Sequence, residues 1–384
     1  MILPGATLGV LGGGQLGSMF VVAARTMGYR VTVLDPDPHS PAGSFANTHI
    51  QADYLDQAAL HRMAQTCAAV TTEFESVPAD SLRILAQHCR VCPSADAVAI
   101  AQDRIHEKTW LSQQDIATAR FAVIHQADDI AAGLAKIGSP ALLKVSRFGY
   151  DGKGQARVES VDQAIAAFAA MGNEACVLEA LLPLETELSV VLARASDGNM
   201  ALYPVAENRH QGGILDVSMV PARVSCALAE TAAELARTIA EKLDYCGVLA
   251  VEFFVLPNEQ VVVNEIAPRP HNSGHYTLDA CHVSQFEQQV RALCGVSLGD
   301  PSLFSPVVMV NLLGDLWRDG EPRWEWLLQH ERVKLHLYGK HEARAGRKMG
   351  HFTCLDKTLE DAVALAQRIK QEIDTRKLAP VIVA

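Results

Sequence analysis

Two apolar segments, residues 247–255 (GVLAVEFFV) and 260–265 (QVVVNE), flank Pro257-Asn258-Glu259, and each carries a glutamate. β-Branched and aromatic runs bounded by Pro and Asn read as a β-hairpin. With Asn258-Glu259 as a two-residue turn, Glu252 falls opposite Glu265. Facing side chains in such a pair have Cβ atoms roughly 4.5–5.5 Å apart, so two carboxylates there repel. A hard divalent cation converts that repulsion into a binding site, and Mg²⁺ favours a couple of carboxylates together with phosphate oxygens. A solvated hairpin is the alternative, and it fits poorly with glutamates that interrupt otherwise apolar strands. The second strand runs directly into NEIAPRPHNSGH (264–275). This stretch gathers a carboxylate, a guanidinium, two imidazoles and two amides on a loop shaped by prolines and a glycine.

The 384 residues are enough for several domains, each with its own core. A hydrophobic content of 49% with 20% charged residues is ordinary for a soluble globular chain. No apolar run reaches the roughly 18 residues that span a bilayer, so no membrane partner is expected. No basic segment precedes the first apolar stretch, and a secretory leader is not expected. The nine cysteines form no framework, and Cys89-Arg90-Val91-Cys92 is a lone pair that reads as structural. A reduced, cytoplasmic protein follows. The net charge of −11 argues against nucleic acid as a partner. Small anionic ligands need only local cations.

An α/β alternation organises the chain. Residues 6–35 read strand, Gly-rich turn, helix (Ser18 to Met27), strand, and the pattern continues to about residue 98 as a parallel-sheet domain (1–100). A second unit (101–185) has strands at 141–145 and 175–179 around a helix from 160 to 171 with Ser160 as N-cap. A third (186–300) mixes strands with helices near 228–243 and 284–294. The last (301–384) holds a basic loop, Arg344 to His351, and a helix near 358–371. Within the first unit, Gly12-Gly13-Gly14-Gln15-Leu16-Gly17 satisfies the dinucleotide-binding pattern, with Asp35 at the end of the next strand. A nicotinamide-dependent dehydrogenase is therefore a contender. The physical content of the motif is only that amides at a helix N-terminus attract a phosphate, and nothing downstream resembles a hydride-transfer site.

The downstream residues resemble a nucleoside triphosphate site. Gly149-Tyr150-Asp151-Gly152-Lys153-Gly154-Gln155 places three flexible residues and a cation between two strands, where backbone amides can close over phosphate oxygens. It lacks the GK[ST] of a P-loop. Lys144 lies inside an apolar strand and is costly to bury without an anionic partner, for which an α-phosphate is suited. Glu179-Ala180-Leu181-Leu182 ends the following strand, where an acid and backbone groups can hold adenine and ribose. Glu187 lies within reach of ribose hydroxyls.

In order along the chain stand GGGQLG (12–17), TEFE (72–75), QDR (102–104), GYDGKGQ (149–155), EALLPLETE (179–187), NRHQGGIL (208–215), NEIAPRPHNSGH (264–275) and GRKMGH (346–351). Together they resemble the ATP-grasp superfamily, most closely its N5-carboxyaminoimidazole ribonucleotide synthetase family. Phe148 stands where some relatives have glycine. The resemblance implies an ATP-grasp fold behind an N-terminal Rossmann-like domain, with a small C-terminal domain. It implies that Arg104 and Lys144 contact ATP phosphates under the loop Gly149 to Gln155. Glu179, Ala180, Leu181, Leu182 and Glu187 would bind adenine and ribose, with His210 beside the nucleotide. Glu252 and Glu265 would hold Mg²⁺, assisted by Asn264, although strict alternation turns Asn264 to the opposite strand face.

The reaction so implied phosphorylates bicarbonate with ATP. The resulting carboxyphosphate releases CO₂, which the exocyclic amine of 5-aminoimidazole ribonucleotide captures. Arg269 would grip bicarbonate in bidentate fashion, with His271, Asn272 and His275 on the same loop. The His271-x-x-x-His275 spacing is also zinc-like, but the prolines and Gly274 oppose a helix and no third soft ligand is near. Tyr150 and Asp151 would face the aminoimidazole, Asp151 as base or hydrogen-bond partner. Arg347 and Lys348 would bind the ribotide phosphate or carboxyphosphate, and Gln15, Leu16 and Glu73 would seat the ribotide. The family suggests a homodimer. Two rival functions are a formate-activating enzyme that formylates glycinamide ribonucleotide and a nucleotide-sensing module without turnover.

Overall fold

The first hundred residues form a parallel sheet because their strands are short, apolar on both faces and alternate with amphipathic helices. In the computed structural model, which describes residues 1–149 and 152–377, the strand order is Thr48–Ile50, Arg30–Leu34, Thr7–Leu11, Ala69–Thr72, Arg90–Val91. Leu8, Val10, Val31 and Val33 bury one face against Phe20 and Val21 of the helix Gln15–Thr26. Leu11, Leu34 and Val70 bury the other against Leu60, Met63 and Leu82. That first helix begins at Gln15, three residues before the expected start, so the Gly-rich turn feeds it directly.

A four-stranded antiparallel sheet follows, in the order Phe121–Ile124, Cys176–Ala180, Ala141–Val145, Gln155–Val158. Two helices, Asp129–Ile137 and Val161–Ala170, cover one face through Ile130, Leu134 and Phe168. Ser160 caps the second by accepting from Gln163 N, as its position predicts. The other face is left to polar groups, Lys144 and Glu179 among them.

The third sheet has nine strands. Val261–Ala267 forms one edge, next to Gly247–Val255, Thr186–Arg194, Ala206–Gln211 and Ile214–Val220. Val307–Leu313, Lys348–Leu355 and Val333–Leu337 then continue the same sheet, and Met200–Leu202, paired with Thr186–Arg194, is the ninth strand. The C-terminal strands thus add to the central sheet and make none of their own. The helix Cys226–Lys242 packs Leu228, Ala232, Ala236 and Ile239 on the central strands. The helix Leu359–Lys377 sets Ala362, Leu365 and Ile369 against Val308, Val310 and Phe352. This continuity carries Lys348 to the same sheet as Glu252. No helix among the described residues is long and apolar enough to cross a membrane.

Candidate active site

Glu252 pairs with Glu265, as the sequence predicts, but through a different hairpin. The connection is a three-residue loop: Leu256 N donates to Gln260 O, and Glu259 closes the turn with φ 58°. Near the turn Val255 faces Val261 and Phe253 faces Val263, one residue out of the expected register. A β-bulge between Glu252 and Phe253 leaves Asn264 as the extra residue and restores the predicted pairing at the glutamates. A bulge places two residues of one strand against one of the other and breaks the strict alternation of faces. Asn264 and Glu265 are accordingly both half-buried.

Burial and each other's charge push Glu252 well above the ordinary carboxylate range. Burial acts on Glu265 in the same sense, but Arg104 and Lys144 outweigh it and hold that carboxyl below the range. His271 Nε2 lies 3.6 Å from Glu252, and one ligand atom each from Glu252, Glu265 and His271 come within 4.8 Å of one another. Burial and neighbouring cations keep His271 well below the usual imidazole range, hence neutral. Two facing carboxylates, one of them short of compensating charge, and a neutral imidazole form a donor set that fits a divalent cation.

Arg104 Nη1 reaches Glu265 at 3.3 Å while Nη2 donates to Gly149 O at 3.2 Å, so one guanidinium joins the carboxylate strand to the Gly-rich loop. Lys144 is paired with Glu179 at 2.9 Å, a carboxylate that Lys108 shares, where a phosphate was the expected partner. The two side chains meet diagonally on neighbouring antiparallel strands, Lys144 opposite Val177 and Glu179 opposite Leu142, and a buried ammonium requires a fixed anion whether or not nucleotide is bound. Glu179 is therefore engaged, and the backbone of Ala180, Leu181 and Leu182 is what remains for an adenine. Leu181 is exposed and Leu182 half-buried, at the open end of that strand. Glu187 and His210 form an ion pair across adjacent strands, and Glu187 and His210, like Lys348, lie close enough to Glu252 to bias its charge.

Gly152 and Gly154 both have positive φ. A Cβ on Gly152 would meet Gly212 O at 2.7 Å, so the loop rests on the turn between Ala206–Gln211 and Ile214–Val220. Lys153 and Gln155 belong to the same loop and the strand that follows it. Tyr150 and Asp151, the expected aminoimidazole contacts, lie outside the described residues.

The G-x-G-x-x-G turn departs from its dinucleotide reading. Gly14 N and Gly17 N donate to the two oxygens of Glu73 at 2.7 and 2.8 Å, and Gly13 N donates to Asp35 Oδ2 at 2.6 Å. A Cβ on Gly12 would come within 2.8 Å of Glu73. The glycines admit two carboxylates to the helix N-terminus, so the position a pyrophosphate would need is filled from within. Gln15 Oε1 accepts from Lys340 Nζ at 2.5 Å, and Leu16 is buried beside Gln15 in the same turn.

Arg269 is paired with Glu75 of the TEFE segment and donates to Pro270 O, so a side-chain carboxylate occupies the fork expected to hold bicarbonate. Asn272 exchanges amide hydrogen bonds with Asn311, at 3.1 and 2.6 Å. His275 turns away from His271: its Nδ1 faces Gln285 and its ring packs 5.0 Å from His351, which disposes of the zinc spacing. Arg347 is held by Glu342 O, and Lys348 O accepts from Lys340 at 2.6 Å. The sequence reading missed Glu75, Glu107, Lys108, Asn311 and Lys340. Glu107 and Lys108 follow Arg104 at helical spacing, which is the one signal that pointed to them.

An antiparallel four-stranded sheet facing a larger one, with a Gly-rich loop and paired acids between them, defines an ATP-grasp enzyme. The ATP-grasp domain profile matches residues 109–286, a ribonucleotide synthetase preATP-grasp domain matches 5–102, and a phosphoribosylaminoimidazole carboxylase C-terminal domain matches 307–364. The N5-carboxyaminoimidazole ribonucleotide synthase of Bacillus subtilis is 42% identical over 353 residues, 92% of each chain. That of Brucella melitensis is 45% identical, covering 91% of this chain and 96% of its own. A solved N5-carboxyaminoimidazole synthase from Aspergillus clavatus, in complex with ADP and 5-aminoimidazole ribonucleotide, superposes with a TM-score of 0.88 at 31% identity, covering 96% and 99% of the two chains. The chain belongs to the N5-carboxyaminoimidazole ribonucleotide synthase family.

Proposed function

We propose that this ATP-grasp ligase carboxylates the exocyclic amine of 5-aminoimidazole ribonucleotide, using ATP and bicarbonate by way of carboxyphosphate, within purine biosynthesis. The observation that carries the reading is the facing pair of buried Glu252 and half-buried Glu265, set beside Arg104 and Lys144 under a Gly-rich loop. Phosphoryl transfer needs fixed positive charge around the oxygens and reactants held in line. Mg²⁺ on Glu252 and Glu265, with Asn264 beside them, supplies part of that charge when bound. Arg104 and Lys144 supply the rest from the protein, and Lys153 adds a cation from the loop. Ala180 to Leu182 seat the adenine, and Glu187 with His210 orients the ribose side of the nucleotide.

Arg269 exchanges Glu75 for bicarbonate, so the anion arrives at a guanidinium already oriented by a carboxylate. Neutral His271 and the Asn272 amide, fixed by Asn311, offer hydrogen bonds without adding charge. Lys348 and Arg347 hold the ribotide phosphate or the carboxyphosphate, Gln15, Leu16 and Glu73 seat the ribotide, and Asp151 orients or deprotonates the amine. The protein acts as a homodimer in the cytoplasm, where its nine free cysteines stay reduced. An ADP-release assay tests the reading. Aminoimidazole ribonucleotide with bicarbonate should stimulate ATP hydrolysis, while glycinamide ribonucleotide with formate should not. Formate-dependent turnover, or NADH oxidation without ATP, would overturn it.

A further inference from the structure

Three backbone groups flanking the bulge at Asn264 lie on the outer side of this edge strand, and each finds a partner outside the sheet. Val263 O accepts from Thr118 Oγ1 at 2.8 Å, Asn264 O accepts from Lys108 Nζ at 3.3 Å, and Ile266 N donates to Glu107 Oε1. Glu107 and Lys108 belong to the helix Arg104–Gln113, whose residue Arg104 pairs with Glu265 itself. Positions 104, 107 and 108 share one face of that helix. Glu107 and Lys108 are 2% and 1% exposed, so neither contact is a chance surface encounter. Buried backbone groups left unpaired on a sheet edge are costly, and here Thr118 and two residues of the helix supply partners where no further strand does.

Lys108 does more than complete a hydrogen bond. Its ammonium also donates to Thr118 Oγ1 at 2.8 Å and lies 3.5 Å from Glu179 Oε1, while Lys144 holds the other oxygen of that carboxylate. A single buried cation thus connects the strand bearing Glu265 to the strand Cys176–Ala180, which leads into Leu181 and Leu182. We infer that Lys108 and Glu107 are positioning residues of the metal and nucleotide site: they hold the bulge that sets Glu265 against Glu252, and Lys108 fixes that bulge relative to the adenine-side strand. The inference rests on the function proposed above for where metal and nucleotide bind. It assigns to Glu107 the role of a hydrogen-bond acceptor, which an amide can fill. It assigns to Lys108 a cation with several donors, which arginine fills in part and methionine cannot.

Calorimetric titration of the whole protein with ADP, with and without Mg²⁺, tests this without turnover. The wild type should bind ADP more tightly with Mg²⁺. Lys108→Met should reduce that metal-dependent gain by about tenfold, the low end of what loss of an outer partner costs a metal site. Lys108→Arg should recover most of it, and Glu107→Gln should retain it while Glu107→Leu should not. Melting temperatures measured alongside separate folding from positioning. A wild-type metal-dependent gain in Lys108→Met, whatever its melting temperature, overturns the inference, as does equal loss in Glu107→Gln and Glu107→Leu. Absence of turnover with aminoimidazole ribonucleotide in the wild type would count against the proposed reaction and leave this result standing.

Discussion

Glu252 and Glu265 carry opposite biases: the same burial acts on both, and Arg104 and Lys144 outweigh it at Glu265, whereas His210 and Lys348 offset it only in part at Glu252. Removing either carboxylate by Glu→Gln should lower ATP turnover by about 100-fold or more, beyond the roughly 10–100-fold of an outer partner. The circular dichroism spectrum should stay native, and wild-type activity at limiting Mg²⁺ in both variants would refute the metal assignment. The sign of the pH effect follows from Glu252. A carboxyl whose pKa is raised by folding binds its proton more tightly in the folded state. Its favourable contribution is therefore present at low pH and lost as pH rises from the ordinary carboxylate range through the raised value. The same proton competes with a cation. Affinity for Mg²⁺ in the presence of ADP should rise between about pH 5.5 and 8, and Glu252→Gln should flatten that rise. Residue identities were legible where a charge interrupts an apolar strand, as at Glu252, Glu265 and Lys144. They were not legible where partners come from distant segments: nothing in the sequence pairs Glu75 with Arg269, Glu73 with Gly14, or Asn311 with Asn272.

At the scale of elements, the hairpin shows how a right answer can arise from two compensating differences. A three-residue turn shifts the register by one and the bulge at Asn264 shifts it back, so the glutamates meet as predicted. The turn was legible as Pro257-Asn258-Glu259, but its length was not, because Glu259 takes the left-handed conformation that glycine usually supplies. The bulge was beyond reach, since the groups that stabilise it lie on the helix Arg104–Gln113. The Gly-rich loop makes a further prediction. Without nucleotide, limited proteolysis should cut near Lys153, and ATP with Mg²⁺ should protect that site, because ordering glycines has an entropic cost that phosphate contacts offset. Equal cleavage in both conditions would contradict a closing lid. Gly213 sits under this loop with φ 80°, and a Cβ there would lie 2.6 Å from Gly152 Cα. Gly213→Ala should raise KM for ATP by about tenfold, or about 1.4 kcal/mol, and an unchanged KM would show that the loop closes elsewhere.

On the scale of the molecule, α/β alternation and motif order were enough to place the parallel N-terminal sheet, the Gly-rich hairpin and the carboxylate strand. They did not reveal that residues 307–355 extend the central sheet, because the pairing of Ile214–Val220 with Val307–Leu313 joins segments far apart in sequence. That pairing matters for chemistry. It brings Lys348 to the charge environment of Glu252 and His271, and Lys340 to Gln15 at the start of the helix Gln15–Thr26. Side chains of the C-terminal segment thereby come beside the carboxylate strand and the N-terminal domain, which the proposed reaction of three substrates would use. The most direct test of that account uses isotopically labelled bicarbonate with ATP, Mg²⁺ and aminoimidazole ribonucleotide, followed by NMR. The label should appear as a carbamate carbon on the exocyclic nitrogen, one for each ADP formed, and Glu265→Gln should abolish both. ADP formed without labelled carbamate, or carbamate formed at the uncatalysed rate and independent of ATP, would contradict it.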